Sequence, residues 1–117
     1  MPRLMSVALT ADAVIERRKT VTRRDGWWYL KPGDRLTLCR KVQGRRKGEP
    51  LDRLAVVEVV SKRREQLFEI TPEDVAAEGF PDWTPEQFID FYINSVRGAY
   101  PRMWLTRIEW RYLDGEG

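Results

Sequence analysis

The sequence has no histidine and a single cysteine, Cys39. Without histidine there is no imidazole general base and no histidine-centred triad. A zinc site built from histidine and cysteine goes with it, and neither a metal nor another cofactor is expected. One cysteine cannot form an internal disulfide. Cys39 lies in a strand-like run and reads as a small buried apolar residue in a reducing cytoplasm. No apolar run approaches the roughly 20 residues of a membrane helix, so no membrane partner is expected. The opening MPRLMSVALTADAV lacks the long apolar core and cleavage site of a signal peptide. Repeats, low-complexity tracts and linkers are missing as well.

What is present suits a folded domain. The length of 117 residues predicts one domain over 1–117. Such a chain can bury somewhat over 60% of the surface it would expose unfolded. Hydrophobic residues make up 42% and charged ones 33%, a globular rather than a disordered composition. The net charge of +3 conceals an asymmetry. Residues 1–64 hold 17 Lys and Arg against 7 Asp and Glu, whereas residues 65–117 hold 4 against 11. A basic half is what a polyanion binder needs, because each phosphate contact releases counterions. It also fits positive strands that face a negative helical layer, and charge alone does not separate the two.

The patterning predicts the order β-α-β-β-β-α-α-β. RLMSVAL (3–9) reads as a strand. TADAVIERR follows as a two-turn helix with Thr10 as its cap and Ala11, Val14 and Ile15 on one face. KTVTRR (19–24) reads as a charged strand with one side toward solvent or a ligand. A Pro-Gly turn leads to RLTLCRKV (35–42), and QGRRKGEPLD is a polar loop. RLAVVEVVSKRREQL (53–67) reads as an apolar strand with a break near Ser61 and a second short strand from Arg64. Two helices carry Thr-Pro starts: Thr71 and Pro72 open one that stops at Gly79, and Thr84 and Pro85 open the other. RMWLTRIEWRYL (102–113) closes as a strand whose alternate residues divide between two faces. The fold class is α+β, with a curved, mostly antiparallel sheet expected to close on itself.

The densest chemistry lies in ERRKTVTRRDGWW (16–28). Arg17, Arg18, Arg23 and Arg24 surround Lys19, Thr20 and Thr22, and Trp27 and Trp28 follow. Cations beside aromatics suit a nucleic-acid or nucleoside site, in which one tryptophan stacks on a base. Trp83, Trp104 and Trp110 read as packing residues. Arg45, Arg46 and Lys47 form a second basic loop that suits phosphate contacts.

ERRKTVTRRD, the strand pair opened by LKPGDRLTL, then VVEVV, the TPEDVAAEGF helix and the terminal RIEWRYL together resemble an ASCH domain. That family is a small β-barrel related to the PUA RNA-binding domains, and the resemblance spans nearly the whole chain. Its sharpest element is Lys19, Thr20, Thr22 and Arg24. Many ASCH domains show Gly-x-Lys-x-x-Glu-x-Arg there; this chain has Arg17 where glycine is usual and Thr22 where glutamate is usual. The threonine variant resembles the N(4)-acetylcytidine amidohydrolases. That resemblance implies a catalytic set of Lys19 as base, Thr22 as nucleophile and Glu78 as acid or stabiliser. Residues three apart on a regular strand point to opposite faces, so Lys19 and Thr22 converge only if a junction or bulge turns one of them.

Three readings follow. One is a domain that recognises RNA or a modified nucleoside, with DNA as a further candidate, through a basic pocket around Lys19. Another is a hydrolase that removes the acyl group from N(4)-acetylcytidine. The third is a non-catalytic protein-interaction module that uses the acidic helices 71–97. A monomer is the default expectation, with a dimer as the alternative.

Overall fold

The computed structural model describes residues 3–113. Ten segments of regular structure follow the expected order: β1 (Arg3–Ser6), a 3-10 turn (Ala8–Thr10), α1 (Ala11–Ile15), β2 (Val21–Arg24), β3 (Arg35–Cys39), β4 (Arg53–Gln66), a second 3-10 turn (Leu67–Glu69), α2 (Pro72–Ala77), α3 (Pro85–Ser95) and β5 (Trp104–Tyr112). The five strands form one sheet in the order β1-β3-β4-β5-β2. β1 pairs with β3 in parallel, and every other pairing is antiparallel.

The sheet is a half-barrel. Hydrogen-bonded pairing does not close it, because β1 and β2 remain its two edges. A side chain crosses that seam instead: the Arg24 guanidinium on β2 donates to the Ser6 carbonyl on β1 at 2.7 Å.

β4 is the longest strand because its apolar run Val56–Val60 continues into SKRREQ without a turn residue. The irregularity expected near Ser61 is a bulge within one 14-residue strand. Val59 faces Trp110 and Ser61 faces Glu109, which leaves Val60 unpaired and exposed. An extra residue of this kind bends the strand and increases its twist.

Two apolar clusters lie on opposite faces of β5. Ile108 and Trp110 join Leu36, Leu38, Val57 and Val59 in the first. Met103 and Leu105 join Leu67, Val75, Phe88 and Tyr92 in the second, beneath α2 and α3. The period-2 alternation of RMWLTRIEWRYL thus supplies two cores rather than one core and a solvated face. Trp104 departs from the expected packing role, being 53% exposed near the start of the strand.

The helices start as their capping residues require. Thr71 accepts a hydrogen bond from the Asp74 amide, and Thr84 accepts one from Gln87 within a full capping box. Thr10 precedes α1 but makes no side-chain cap. α1 buries Ala11, Ala13 and Val14 and leaves Ile15 exposed, so its apolar face is rotated from the expected one. Cys39 is fully buried, and burial raises its thiol pKa.

Leu105 has no exposed surface and supports both helices. Leu105→Ala is expected to cost about 2–5 kcal/mol of unfolding free energy, read as a lower denaturation midpoint in urea.

Candidate functional site

α1 ends abruptly. Arg17 has φ 61, a left-handed conformation, and the amides of Arg18 and Lys19 both turn back to the Ala13 carbonyl. The chain then runs extended, and Thr20 donates its amide to Ala77 in α2 at 2.8 Å. Lys19 therefore lies in the junction before β2, not on the strand. This meets the geometric condition: Lys19 is turned by the junction, and Thr22 projects from regular strand. Both line one cavity of about 420 Å³, together with Glu78.

Glu78 caps the C-terminus of α2. Gly79 follows with φ 113, where a Cβ would sit 2.8 Å from that of Ala13. Only glycine allows α2 to approach α1 this closely. The approach buries the Lys19–Glu78 pair. Lys19 Nζ donates to Glu78 Oε1 at 2.7 Å and to the Glu78 carbonyl at 3.0 Å. Trp110 and Tyr112 hold the backbone from the other side, both donating to the Lys19 carbonyl.

Arg23 is not a surface cation. Its side chain has no exposed area and reaches Glu78 Oε2 at 3.1 Å, Glu65 at 2.9 Å and Asp74 at 2.5 Å. Arg107 on β5 binds Asp74 through two hydrogen bonds, at 2.6 and 3.0 Å. Arg63 and Glu109 approach the cluster from its exposed rim. The expected role of Arg23 as a phosphate contact is thereby corrected, because all of its charge faces inward. Glu65, Asp74 and Arg107 are site-building residues that patterning did not mark. The one signal was an arginine placed after Met103 and Leu105 on a single strand face.

Burial pushes the Lys19 amine below its usual value; Glu78 opposes this, and Arg24 and then Arg23 add to it. Burial alone would raise Asp74, but hydrogen bonds from Arg107 and Arg23 outweigh it and hold the carboxyl at about 2. Desolvation raises the Tyr92 phenol to about 12.

The remaining candidates separate. Arg24 lines the cavity, and its Nε donates to Thr22 Oγ1 at 3.2 Å. Trp27 packs on the first core and also lines the cavity, whose opposite wall includes Phe80, Phe91 and Tyr92. Trp28 is 47% exposed, with Lys62 Nζ 3.9 Å from its ring centroid. Arg17 lies over the Tyr112 ring at 4.9 Å. Arg18 contacts Glu16 and the Gly79 carbonyl. Thr20 is half-buried beside α2. The loop cations are elsewhere: Arg46 and Lys47 line a separate open depression, and Arg45 donates to the Val42 carbonyl. The structure brings Lys19, Thr22, Arg23, Arg24, Glu78 and Trp27 together along one cavity and leaves the loop 45–47 outside.

Solved structures share this fold. A protein from Enterococcus faecalis V583 described with the family model DUF984 is 16% identical over 97% of this chain and 77% of its own, with a TM-score of 0.69. An ASCH domain from Lactobacillus crispatus JV V101 is also 16% identical, over 89% of this chain and 70% of its own, with a TM-score of 0.60. No family model matches the sequence, and no curated protein matches it significantly. The fold is that of an ASCH domain. Among the described residues, no helix is long and apolar enough to cross a membrane.

Two outcomes test the ion cluster. Arg23→Met strands buried carboxylates and is expected to cost about 3–5 kcal/mol, seen in urea denaturation. Asp74 titrates at about 2 when folded against 3.8 in a free chain, so its contribution is complete above roughly pH 4 and is lost as pH falls through 2. Thermal melts from pH 5 to pH 2 should show that loss, with a flatter profile and a lower starting stability for Asp74→Asn.

Proposed function

We propose that the cavity binds one nucleobase, carried by RNA or by a modified nucleoside. The observation that carries this reading is the composition of a single 420 Å³ cavity, with aromatic residues on its walls and Lys19, Thr22, Glu78 and Arg24 supplying polar groups. A volume of this size lies within the usual range for small-ligand sites, about 300–1,000 Å³. Flat aromatic surfaces suit a base, and a few fixed donors and acceptors suit its polar edge. The ASCH fold is consistent with this. The inward-facing Arg23 and the separate 45–47 loop argue against a continuous phosphate track as the main determinant.

A second reading, hydrolysis of an acyl group from the exocyclic amine of cytidine, is favoured by the contacts of Thr22 and Lys19. Arg24 Nε donates to Thr22 Oγ1, so the hydroxyl proton points away from Arg24, and the guanidinium stabilises the oxygen as it gains negative charge. A desolvated Lys19 amine with a lowered pKa suits a general base. In this scheme Thr22 Oγ attacks the acetyl carbonyl while Lys19 takes its proton. Lys19 then returns that proton to the leaving amine as the C–N bond breaks. Water then attacks the acyl carbonyl while Lys19 takes its proton, and Lys19 returns that proton to Thr22 Oγ as the ester C–O bond breaks and the acetyl group leaves as the acid. Both Glu78 oxygens are held by cations, which suits positioning Lys19 better than donating a proton. For the acidic-module reading, Asp74 and Glu78 of helices 71–97 face inward, while Glu73, Asp82, Glu86 and Asp90 remain exposed.

Purified protein incubated with N(4)-acetylcytidine is expected to yield cytidine and acetate, resolved by chromatography. Lys19→Ala and Thr22→Ala should each lower the rate by about 100-fold or more. Binding of acetylcytidine without turnover supports recognition alone. Full activity in Thr22→Ala overturns the hydrolytic scheme, and no binding overturns the whole reading.

A further inference from the structure

Beside the base-sized cavity lies a second depression of about 220 Å³. The two share a lip made by Ala8, Leu9, Thr10 and Phe80. Their outer walls diverge in a regular way. Lys19 lines the first and Arg18, its neighbour in sequence, lines the second. Glu78 lines the first and Gly79 lines the second. Adjacent Cα atoms are about 3.8 Å apart, so one step along either strand of this wall passes from one cavity to the other.

The second depression differs in character. Its cations are Arg18 and Arg40, contributed by the α1–β2 junction and the residue after β3, and Asp12 is its one acid. Each guanidinium keeps a contact that a ligand can replace. Arg18 Nη1 is fixed by the Gly79 carbonyl at 3.0 Å, while its Nε meets exposed Glu16. Arg40 meets Asp52 at 2.9 Å, with both side chains about half exposed. Exposed ion pairs of this kind are weak, so either arginine can exchange its carboxylate partner for a ligand anion. Guanidinium groups match phosphate oxygens through paired N–H donors.

We infer that this depression is the phosphate subsite of the same ligand, so that the molecule recognised is a nucleotide residue and not a free nucleoside. The inference rests on the base-binding reading above. It assigns Arg40, which lies outside the basic run 16–28, to ligand recognition, with Arg18 as its partner. The inward-facing Arg23 takes no part.

Calorimetric titration separates the possibilities. The ligands are cytidine, which has no acyl group to lose, its 5′- and 3′-monophosphates, and a trinucleotide with cytidine at its centre. The proteins are the wild type and Arg40→Ala. A monophosphate is expected to bind about tenfold or more tightly than the nucleoside. That advantage should shrink with added salt and disappear in Arg40→Ala, while nucleoside affinity is retained. Gain with the trinucleotide as well marks a residue within an RNA strand, and gain with a monophosphate alone marks a free nucleotide; either supports the subsite. Equal affinity for nucleoside and nucleotides in both proteins overturns the subsite and leaves the base-binding reading intact. If neither nucleoside nor nucleotide binds to the wild type, the base-binding reading fails and takes the subsite with it.

Discussion

Arg23 stands where three carboxylates meet. Glu65 comes from β4, Asp74 from within α2 and Glu78 from the end of α2, and one fully buried guanidinium contacts all of them. Through Asp74 the network extends to Arg107 on β5. α2 is therefore fastened to three strands by charge as well as by apolar packing. A buried ion is tolerable only when its hydrogen-bonding capacity is nearly filled. Here Arg23 Nε is the one buried side-chain polar atom without a partner among the described residues. The position of Glu78, and with it that of Lys19, follows from this arrangement.

The charge balance gives the site its chemical character. Three buried cations, Lys19, Arg23 and Arg107, pair with the three carboxylates, and Arg24 stands beside them on Thr22 and Ser6. Arginine does not give up its proton in this setting. Lys19 is the one cation of the set that can, and desolvation lowers its amine while Glu78 opposes and Arg24 and Arg23 assist. A structural ion cluster thus also adjusts a base. Its inner members set the electrostatics, and only Lys19, Glu78, Arg23 and Arg24 reach the cavity wall.

Much of this was legible in the sequence. Thr-Pro starts and the glycine stop located α2 and α3, and alternation located β3 and β5. Lys19, Thr22 and Glu78 were singled out by a motif, and the fold places those residues in one cavity. The destination of charge was not legible. Arg23 and Arg24 are adjacent and chemically alike, yet one is enclosed by carboxylates while the other bridges the seam of the sheet to Ser6. Asp74 lies in the first turn of α2, where the helix dipole alone accounts for an acid, and nothing local reports its partner Arg107, 33 residues away. The position where related domains carry glycine was informative in an unexpected way. Arg17 adopts the left-handed conformation that glycine takes easily, at a cost of roughly 1–2 kcal/mol. A local signal reports local geometry, and these ion pairs are not local.

The strand order also has a consequence in time. β2 carries Thr22 and Arg23 and is made well before its partner in the sheet, β5, the last of the described strands. Lys19 waits in the same way for Trp110 and Tyr112, whose side chains hold its carbonyl across separations of 91 and 93 residues. Contacts between distant parts of a chain are slow to form. On a ribosome, the segment 16–28 emerges as a cationic thread with no strand beside it. It becomes a pocket wall only after the C-terminal strand has been released and has inserted between β4 and β2. Assembly of the cavity is therefore among the last events of folding, and truncation before residue 104 removes the site even though Lys19, Thr22 and Glu78 are all present.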